Sequence, residues 1–155
     1  KKQVFMRMAI EVAKLSNCSR LHVGALILNS DFRILGEGYN GRPAGAVHCK
    51  EDNPAGVKEL WNCIHAEINA LNFCIPYEEE KIAFVTAFPC PNCLKALYIK
   101  NVKKVYYNNP YRYFEESSKS ADYLGIEYER VIVDVIDGVP VFQGNALSPW
   151  KGTES

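Results

Sequence analysis

Three potential metal ligands lie in two short segments, His65-Ala66-Glu67 and Pro89-Cys90-Pro91-Asn92-Cys93. One imidazole and two thiolates can bind a single zinc ion only if the fold brings the two segments together. Tetrahedral zinc with three protein ligands keeps its fourth position for water, and it lowers the pKa of that water toward ~7. Glu67 follows the first ligand closely enough to move protons. The pattern therefore predicts a hydrolytic zinc site with ligands His65, Cys90 and Cys93 and with Glu67 as its catalytic acid and base.

Each part of this pattern also has a simpler interpretation. A CxxC pair can be a redox pair or part of a zinc knuckle. A single histidine is more often hydrogen-bonded in the core or at the surface, and a single glutamate is usually solvated. A closed structural zinc site would need a fourth ligand, and Cys63 lies close enough to His65 in the sequence to supply it. A non-catalytic zinc module is therefore the main alternative.

The composition narrows the classes of partner. Lys plus Arg and Asp plus Glu both number 18, so the formal net charge is zero. Nucleic-acid-binding proteins usually carry a basic excess, so the balance disfavours a polynucleotide partner. The sequence has no apolar run of the ~18 residues that a membrane span requires. The six cysteines, without a secretion signal, indicate reduced thiols and metal rather than disulfides. We therefore expect no membrane partner and a cytoplasmic location.

Hydrophobic periodicity predicts helices alternating with short strands. The predicted helices cover residues 2–16, 66–74, 91–100 and 115–124, and the predicted strands cover 23–28, 34–39, 82–87, 102–107, 126–128 and 131–136. Such alternation is typical of a layered α/β domain. We expect one domain over residues 1–155, with its core in 2–136 and an irregular tail at 144–155.

The predicted ligands open two of these helices. His65 precedes one helix, while Cys90 and Cys93 begin the next, in which Pro91 suits the first turn. Helix N-termini carry partial positive charge and unpaired N–H groups, which favour a thiolate over a thiol. We therefore expect the fold to favour ionisation of both cysteines.

An ordered set of motifs is more specific than the zinc ligands alone. It consists of Val23-Gly24-Ala25, Gly38-Tyr39-Asn40-Gly41 with Pro43, His48-Cys49, His65-Ala66-Glu67 with Asn69-Ala70, and Thr86 before Pro89-Cys90-Pro91-Asn92-Cys93. The H-x-E…P-C-x-x-C part is the signature of the zinc nucleobase deaminases. The whole set, over roughly residues 4–135, resembles the deoxycytidylate (dCMP) deaminases of the cytidine deaminase-like superfamily.

This resemblance implies a three-layer α/β/α fold with a mixed five-stranded sheet. It also implies zinc-dependent hydrolysis of dCMP to dUMP and ammonia, in a homo-oligomer that is often a hexamer. The expected effectors are dCTP and dTTP, with Mg²⁺ accompanying the triphosphate. Arg42, Leu94 and Lys100-Asn101-Val102 depart from the usual family pattern, so regulation and nucleotide preference stay open.

The resemblance also suggests binding residues. Asn40 would hold the sugar, although it could instead be only a turn residue beside Gly41. The backbone of Ala66 would bind the base carbonyl, and Arg20 and Tyr111, with Arg42, are candidates for the phosphate. The loop residues Tyr39, Gly41 and Arg42 are the candidate effector contacts.

A second, structural zinc site is the last expectation. Cys18 and Cys49 resemble its ligands in some family members, Cys63 could be a further ligand, and His48, His22 or a nearby acidic residue could complete the set. The alternative is that these cysteines are small buried hydrophobic residues. A polynucleotide or tRNA deaminase and a free nucleoside deaminase of the same superfamily remain alternative functions.

Overall fold

In the computed structural model, one mixed sheet of five strands separates two layers of helices. The structure describes residues 1–55, 62–74, 79–111, 113–136 and 139–141. The helices are α1 (Lys2–Ala13), α2 (Cys49–Asp52), α3 (Ala66–Leu71), α4 (Pro91–Ile99) and α5 (Phe114–Leu124). The strands are β1 (Gly24–Asn29), β2 (Ile34–Tyr39), β3 (Lys81–Ala87), β4 (Val102–Asn109), β5 (Glu127–Arg130), β6 (Asp134–Ile136) and β7 (Val139–Val141).

The main sheet has the strand order β2-β1-β3-β4-β5. Strand β1 pairs antiparallel with β2 and with β3, whereas β3, β4 and β5 are parallel to one another. The short strands β6 and β7 form a separate antiparallel pair. The mixed five-stranded sheet that the resemblance implied is therefore confirmed.

The central strands β1 and β3 are buried on both faces, because alternate side chains of each strand point to opposite helical layers. On β1, Ala25 and Ile27 belong to the apolar cluster that also includes α3 and α4, whereas Leu26 and Leu28 pack with α1. Strand β3 repeats this division, with Val85 in the first cluster and Phe84 in the second. The sheet is thus the middle layer of an α/β/α arrangement.

Several predicted boundaries differ from the structure for local reasons. Helix α1 ends at Ala13 rather than at residue 16, because the amides of residues 14–16 bond three residues back in a tight final turn. Helix α3 ends at Leu71 rather than at residue 74, for the same reason. The strand predicted over 131–136 begins only at Asp134. Val131 and Val133 are buried against the α1 side of the sheet, so their alternation reflects packing.

Two elements were not predicted. Helix α2 is a single turn in a polar segment, and β7 completes a hairpin with β6. The tail predicted to be irregular at 144–155 lies outside the described residues. Among the residues that are described, no helix is long and apolar enough to cross a membrane.

Candidate active site

The two ligand segments meet at the starts of neighbouring helices. His65 is the N-cap residue of α3 and Cys90 is the N-cap residue of α4, and both have extended backbone conformations. Pro91 occupies the first turn of α4, where a missing N–H costs no helical hydrogen bond. Cys93 lies one turn further on, and its amide donates to the Cys90 sulfur at 3.5 Å. The fold therefore places an imidazole and two thiols side by side.

The spacing of these three side chains suits a metal ion. His65 Nδ1 lies 3.1 Å from Cys93 Sγ and 3.6 Å from Cys90 Sγ. Tetrahedral zinc with Zn–S near 2.3 Å and Zn–N near 2.0 Å would separate sulfur and nitrogen by about 3.6 Å. All three ligand atoms lie within 4.8 Å of one another. The donor set and its spacing thus fit one zinc ion with an open fourth position.

The two cysteines differ in how readily they ionise. Hydrogen bonds from Cys93 and His65 lower the pKa of Cys90 to about 4. The pKa of Cys93 is raised, because its thiol donates to Cys90 and because it is buried. The sequence argument expected both thiols to be favoured as thiolates, and in the structure only Cys90 is. A bound zinc ion would supply the positive charge that ionises Cys93 as well.

His65 carries the opposite charge to Cys90. Its hydrogen bond to the Cys90 sulfur raises the pKa of His65 to about 9, although burial opposes that rise. The imidazole and the thiolate therefore form an ion pair in the protein without metal. To bind zinc, the imidazole must lose its proton.

Glu67 is a buried carboxyl beside this cluster. Its residue is 4% exposed, and it lies in the first turn of α3. Burial raises the pKa of Glu67 to about 7, while the charge of His65 acts in the other direction. A carboxyl with a pKa close to neutrality can both accept and donate a proton at working pH.

A cavity of about 330 Å³ opens beside Glu67 and the ligands. This volume is within the usual range for small-molecule sites. Its wall includes all four of the predicted substrate contacts, Arg20, Asn40, Ala66 and Tyr111. Tyr111 has a positive φ of 61°, an uncommon conformation for a bulky residue, so the loop holds it in a specific orientation.

Asn40 does more than line the cavity. Its Oδ1 accepts from the Val23 amide at 2.8 Å, and its Nδ2 donates to the Leu21 carbonyl at 2.6 Å. The turn interpretation is therefore insufficient, because the side chain ties its own loop to the segment that leads into β1.

The second group of cysteines also forms a cluster. The sulfur atoms of Cys18, Cys49 and Cys63 lie within 4.8 Å of one another, and Cys49 and Cys63 are 3.1 Å apart. All three line the same cavity as His65 and Glu67. Cys63 thus belongs to this group rather than to the set around His65. His48 is the exposed N-cap residue of α2 and is not part of either cluster.

The candidate effector residues occupy the loop after β2. Arg42 donates to the Val47 carbonyl at 3.1 Å, which braces the loop across five residues. Tyr39 is partly exposed, and Gly41 pairs with Ile64 through two backbone hydrogen bonds. These three residues lie next to the cavity-lining Asn40 rather than in the lining itself.

Some cavity residues were not identified from the sequence, namely Leu21, Val23, Asn53, Ala87, Phe88, Asn92 and Tyr113. Phe88 directly precedes Pro89-Cys90, and Asn92 lies inside the CxxC, so proximity to the ligand motif could have indicated both. The positions of Asn53 and Tyr113 depend on how loops from distant parts of the sequence fold together.

Residues 1–109 match the family described as "Cytidine and deoxycytidylate deaminase zinc-binding region". The chain belongs to this family. It is 34% identical over 137 residues to ComE operon protein 2 of Bacillus subtilis, covering 85% of this chain and 71% of that protein. It is also 32% identical to a probable deoxycytidylate deaminase of Caenorhabditis elegans, covering 86% and 71% of the two chains.

A solved structure shows a similar fold. The crystal structure of the dCMP deaminase from cyanophage S-TIM5, in complex with dCMP and dUMP, superimposes with a TM-score of 0.74. The two sequences are 33% identical, and the match covers 84% of this chain and 96% of the other. The family and the cytidine deaminase-like fold expected from the sequence are both confirmed.

Proposed function

We propose that this chain is a zinc-dependent deaminase that hydrolyses dCMP to dUMP and ammonia. The observation that carries the proposal is the meeting of His65, Cys90 and Cys93 beside the buried Glu67, at the wall of one cavity. The similarity to a deaminase solved with dCMP and dUMP indicates the substrate.

His65, Cys90 and Cys93 would hold the zinc, which supplies Lewis acidity that makes a water molecule nucleophilic at neutral pH. Glu67 moves the protons. It accepts one from the attacking water and gives it to the ring nitrogen next to the amine-bearing carbon. It then takes the proton of the newly added hydroxyl group and delivers it to the departing amine, so that water and dCMP become dUMP and ammonia. A pKa of about 7 suits a carboxyl that must act as base and then as acid.

The remaining contacts position the nucleotide. The amide of Ala66 is in the first turn of α3, where N–H groups have no partner within the helix, so it can donate to the base carbonyl. Asn40 contacts the sugar. Arg20 and Tyr111 bind the phosphate from the cavity wall.

Substitution of the proton carrier tests this function. Glu67→Gln keeps the shape of the side chain but cannot accept a proton, so turnover of dCMP should fall by ~10²–10⁴ while zinc remains bound. The change in absorbance as dCMP becomes dUMP measures the rate, and elemental analysis measures the zinc. Glu51→Gln, at an exposed position on α2, is the matched control. Near-normal turnover by Glu67→Gln would show that another group moves the protons.

A second, structural zinc at Cys18, Cys49 and Cys63 is the finer part of the proposal. Three sulfur atoms within 4.8 Å of one another support it. Cys49→Ser should then lower the zinc content from two to one per chain and lower the melting temperature. Cys74→Ser, a buried cysteine outside both clusters, should leave the count unchanged. A content of one zinc per chain in fully loaded wild-type protein would contradict the second site. Cys18, Cys49 and Cys63 would then be packing residues.

The proposal extends to regulation, with dCTP as activator, with Mg²⁺ bound to the triphosphate, and dTTP as inhibitor. The loop after β2 suits an effector site, because it carries both Asn40, which lines the cavity, and Arg42, whose side chain donates to the Val47 carbonyl. An effector that orders this loop would change substrate affinity by about 5–150-fold. Arg42→Ala should reduce activation by dCTP more than it reduces turnover at saturating dCMP. Identical rate curves with and without the two effectors would contradict regulation.

Assembly into a homo-oligomer, up to a hexamer, is proposed from the exposed apolar side chains of the helical layer. Phe73, Ile99 and Tyr123 are 68%, 75% and 90% exposed, on or next to α3, α4 and α5. Burying such groups in an interface removes apolar area from water. Light scattering measures the mass, and Ile99→Asp should lower it if this layer is the interface. A monomeric wild-type protein would contradict the proposal.

A further inference from the structure

Asn40 joins three segments of the chain at the edge of the cavity. Its backbone amide donates to the Val23 carbonyl at 3.2 Å, in addition to the two side-chain bonds to Leu21 and Val23. Its backbone carbonyl accepts a hydrogen bond from the Ser16 hydroxyl at 2.7 Å. The position of Asn40 is therefore fixed from both its main chain and its side chain.

The Ser16 hydroxyl both donates and accepts a hydrogen bond. The group donates to the Asn40 carbonyl and accepts from the Cys18 amide at 3.1 Å. The residue is buried at 4% exposure, just beyond the last turn of α1. A buried hydroxyl with both functions in use links the end of α1 to two different cavity-lining residues, Cys18 and Asn40.

The bonds of the Asn40 side chain also set what it can offer a ligand. An amide group has an oxygen acceptor and two N–H donors. The Val23 amide requires the oxygen on its side, and the Leu21 carbonyl requires the nitrogen, so the orientation of the amide is determined. Within the described part of the chain, these bonds leave the second Nδ2 hydrogen and the second lone pair of Oδ1 for a ligand in the cavity. A sugar hydroxyl, which both accepts and donates, suits this pair.

The same loop is hydrogen-bonded to the residue that precedes the candidate metal ligand His65. Gly41 follows Asn40 and exchanges two backbone hydrogen bonds with Ile64, at 3.1 and 2.7 Å. Ile64 directly precedes the ligand His65. A displacement of the Asn40 carbonyl is therefore resisted on one side by Ser16 and on the other by the segment that holds the metal site.

We propose that Ser16 is a positioning residue for the reaction, because its hydroxyl holds Asn40 where the amide N–H meets the sugar of the nucleotide. This inference rests on the proposed function. Ser16 is not among the residues that line the cavity, so its effect on the sugar is exerted through Asn40 rather than by direct contact. Its removal should affect substrate affinity and recognition of the sugar more than the chemical step.

Kinetics with two substrates tests this role. Ser16→Ala should raise KM for dCMP by ~10-fold, the usual worth of one hydrogen bond, while kcat changes by less than about 3-fold. The preference of the wild type for dCMP over 2′,3′-dideoxycytidine monophosphate, which lacks the 3′-hydroxyl, should shrink by a similar factor. In an Asn40→Ala background, Ser16→Ala should reduce that preference no further, because the two residues act as one unit.

Two further variants separate positioning from general stability. Ser117→Ala removes another buried serine hydroxyl, on α5, and should lower the melting temperature without changing the 3′-hydroxyl preference. Ser16→Thr retains the hydroxyl and should restore the preference, even if its extra methyl group lowers the melting temperature. Zinc content should be the same in all of these variants.

The outcomes distinguish the inference from the function on which it rests. If wild-type protein converts dCMP but Ser16→Ala keeps the wild-type KM and 3′-hydroxyl preference, Ser16 is only structural and the inference is overturned. The same holds if Ser16→Thr loses the preference as fully as Ser16→Ala. If zinc-loaded wild-type protein does not convert dCMP at all, the proposed function fails and the inference falls with it.

Discussion

His65 and Cys90 carry opposite charges in the metal-free protein, and this pairing determines what zinc must displace. The imidazole is protonated at pH 7 because its pKa is about 9, and Cys90 is a thiolate because its pKa is about 4. Cys93 is still a thiol, since its pKa is raised. The ion pair holds the two segments together before the metal binds. To bind, zinc must displace the proton of His65 and the proton of Cys93.

This leads to a prediction for proton release. At pH 7, zinc binding at the active site should release about two protons, one from His65 and one from Cys93, because ligands must be deprotonated. Zinc affinity should therefore rise with pH through the neutral range, and it should rise less steeply above the His65 pKa of about 9, where Cys93 alone still has a proton to lose. Calorimetric titration of metal-free protein, in buffers of different ionisation enthalpy, counts the protons.

A matched variant isolates the active-site zinc in that titration. Cys49→Ser removes one sulfur atom from the other cysteine cluster, so the remaining proton release belongs to His65, Cys90 and Cys93. A release near zero would mean that His65 is neutral and Cys93 ionised before zinc arrives, contrary to the pKa shifts.

At the residue scale, the sequence predicts the groups whose chemistry demands a particular residue type. His65, Glu67, Cys90 and Cys93 follow from ligand and proton-transfer chemistry at fixed spacing. Ser16 could not be found in this way, because serine at the end of a helix has many uses. Its role depends on the Asn40 carbonyl, which lies 24 positions away in the sequence.

At the element scale, α3 is positioned by its close approach to β2. A Cβ atom added to Gly38 would lie 2.5 Å from the Ala70 amide nitrogen and 2.6 Å from the Ala66 carbonyl oxygen. Gly36 is equally close, at 2.2 Å from the Ala70 carbonyl oxygen. Because these contacts are with helix backbone, no side-chain rotation can relieve them. The two glycines let the helix that carries Glu67 rest directly on the strand.

Gly38→Ala should therefore push α3 away from the sheet and displace the Glu67 carboxyl. A shift approaching 1 Å can cost ~10²-fold in rate, so kcat should fall by ~10–100-fold. Overpacking should also destabilise the protein by ~1–3 kcal/mol. Steady-state kinetics and denaturant unfolding measure the two effects.

Gly24→Ala is the control for this prediction. Its added Cβ would lie 2.1 Å from the Ala9 carbonyl oxygen, so it displaces α1 on the opposite face of the sheet. It should lower stability to a similar degree with a smaller effect on kcat. Equal losses of kcat in the two variants would show that the rate follows overall stability rather than the position of α3.

The predicted elements differ in how well local sequence determined them. Strand β2 was predicted with its observed bounds, because turn residues precede it and a Gly-rich loop follows. Helix α2 was missed, since one cysteine followed by three charged residues gives no apolar periodicity. The segment at residues 131–133 was predicted as strand because its alternating valines resemble one, although they serve core packing. Such cases are decided by tertiary contacts, which periodicity does not encode.

At the scale of the whole molecule, the charges balance, with 18 basic and 18 acidic residues. Long-range attraction therefore contributes little to binding an anionic substrate, and any phosphate recognition must come from local groups in the cavity. Arg20 is the cationic side chain proposed for this role. A mononucleotide bound in this way should respond only weakly to salt. A polynucleotide that contacts 6–10 phosphates would lose ~10³–10⁵ in affinity between 50 and 200 mM salt.

The last prediction compares dCMP with deoxycytidine, which lacks the phosphate. Hydrogen bonds to a charged group such as the phosphate contribute ~1.5–3 kcal/mol each, so two such contacts should favour dCMP by ~10²–10⁴-fold in kcat/KM. Arg20→Ala should lower kcat/KM for dCMP by ~10–100-fold and leave deoxycytidine within ~3-fold. Arg33→Ala removes the same charge at an exposed position in the turn between β1 and β2, so it should change neither value. Equal use of both substrates would show that the chain is a nucleoside deaminase. Equal effects of Arg20→Ala and Arg33→Ala would show that the overall charge of the protein, rather than a local contact in the cavity, favours the phosphate.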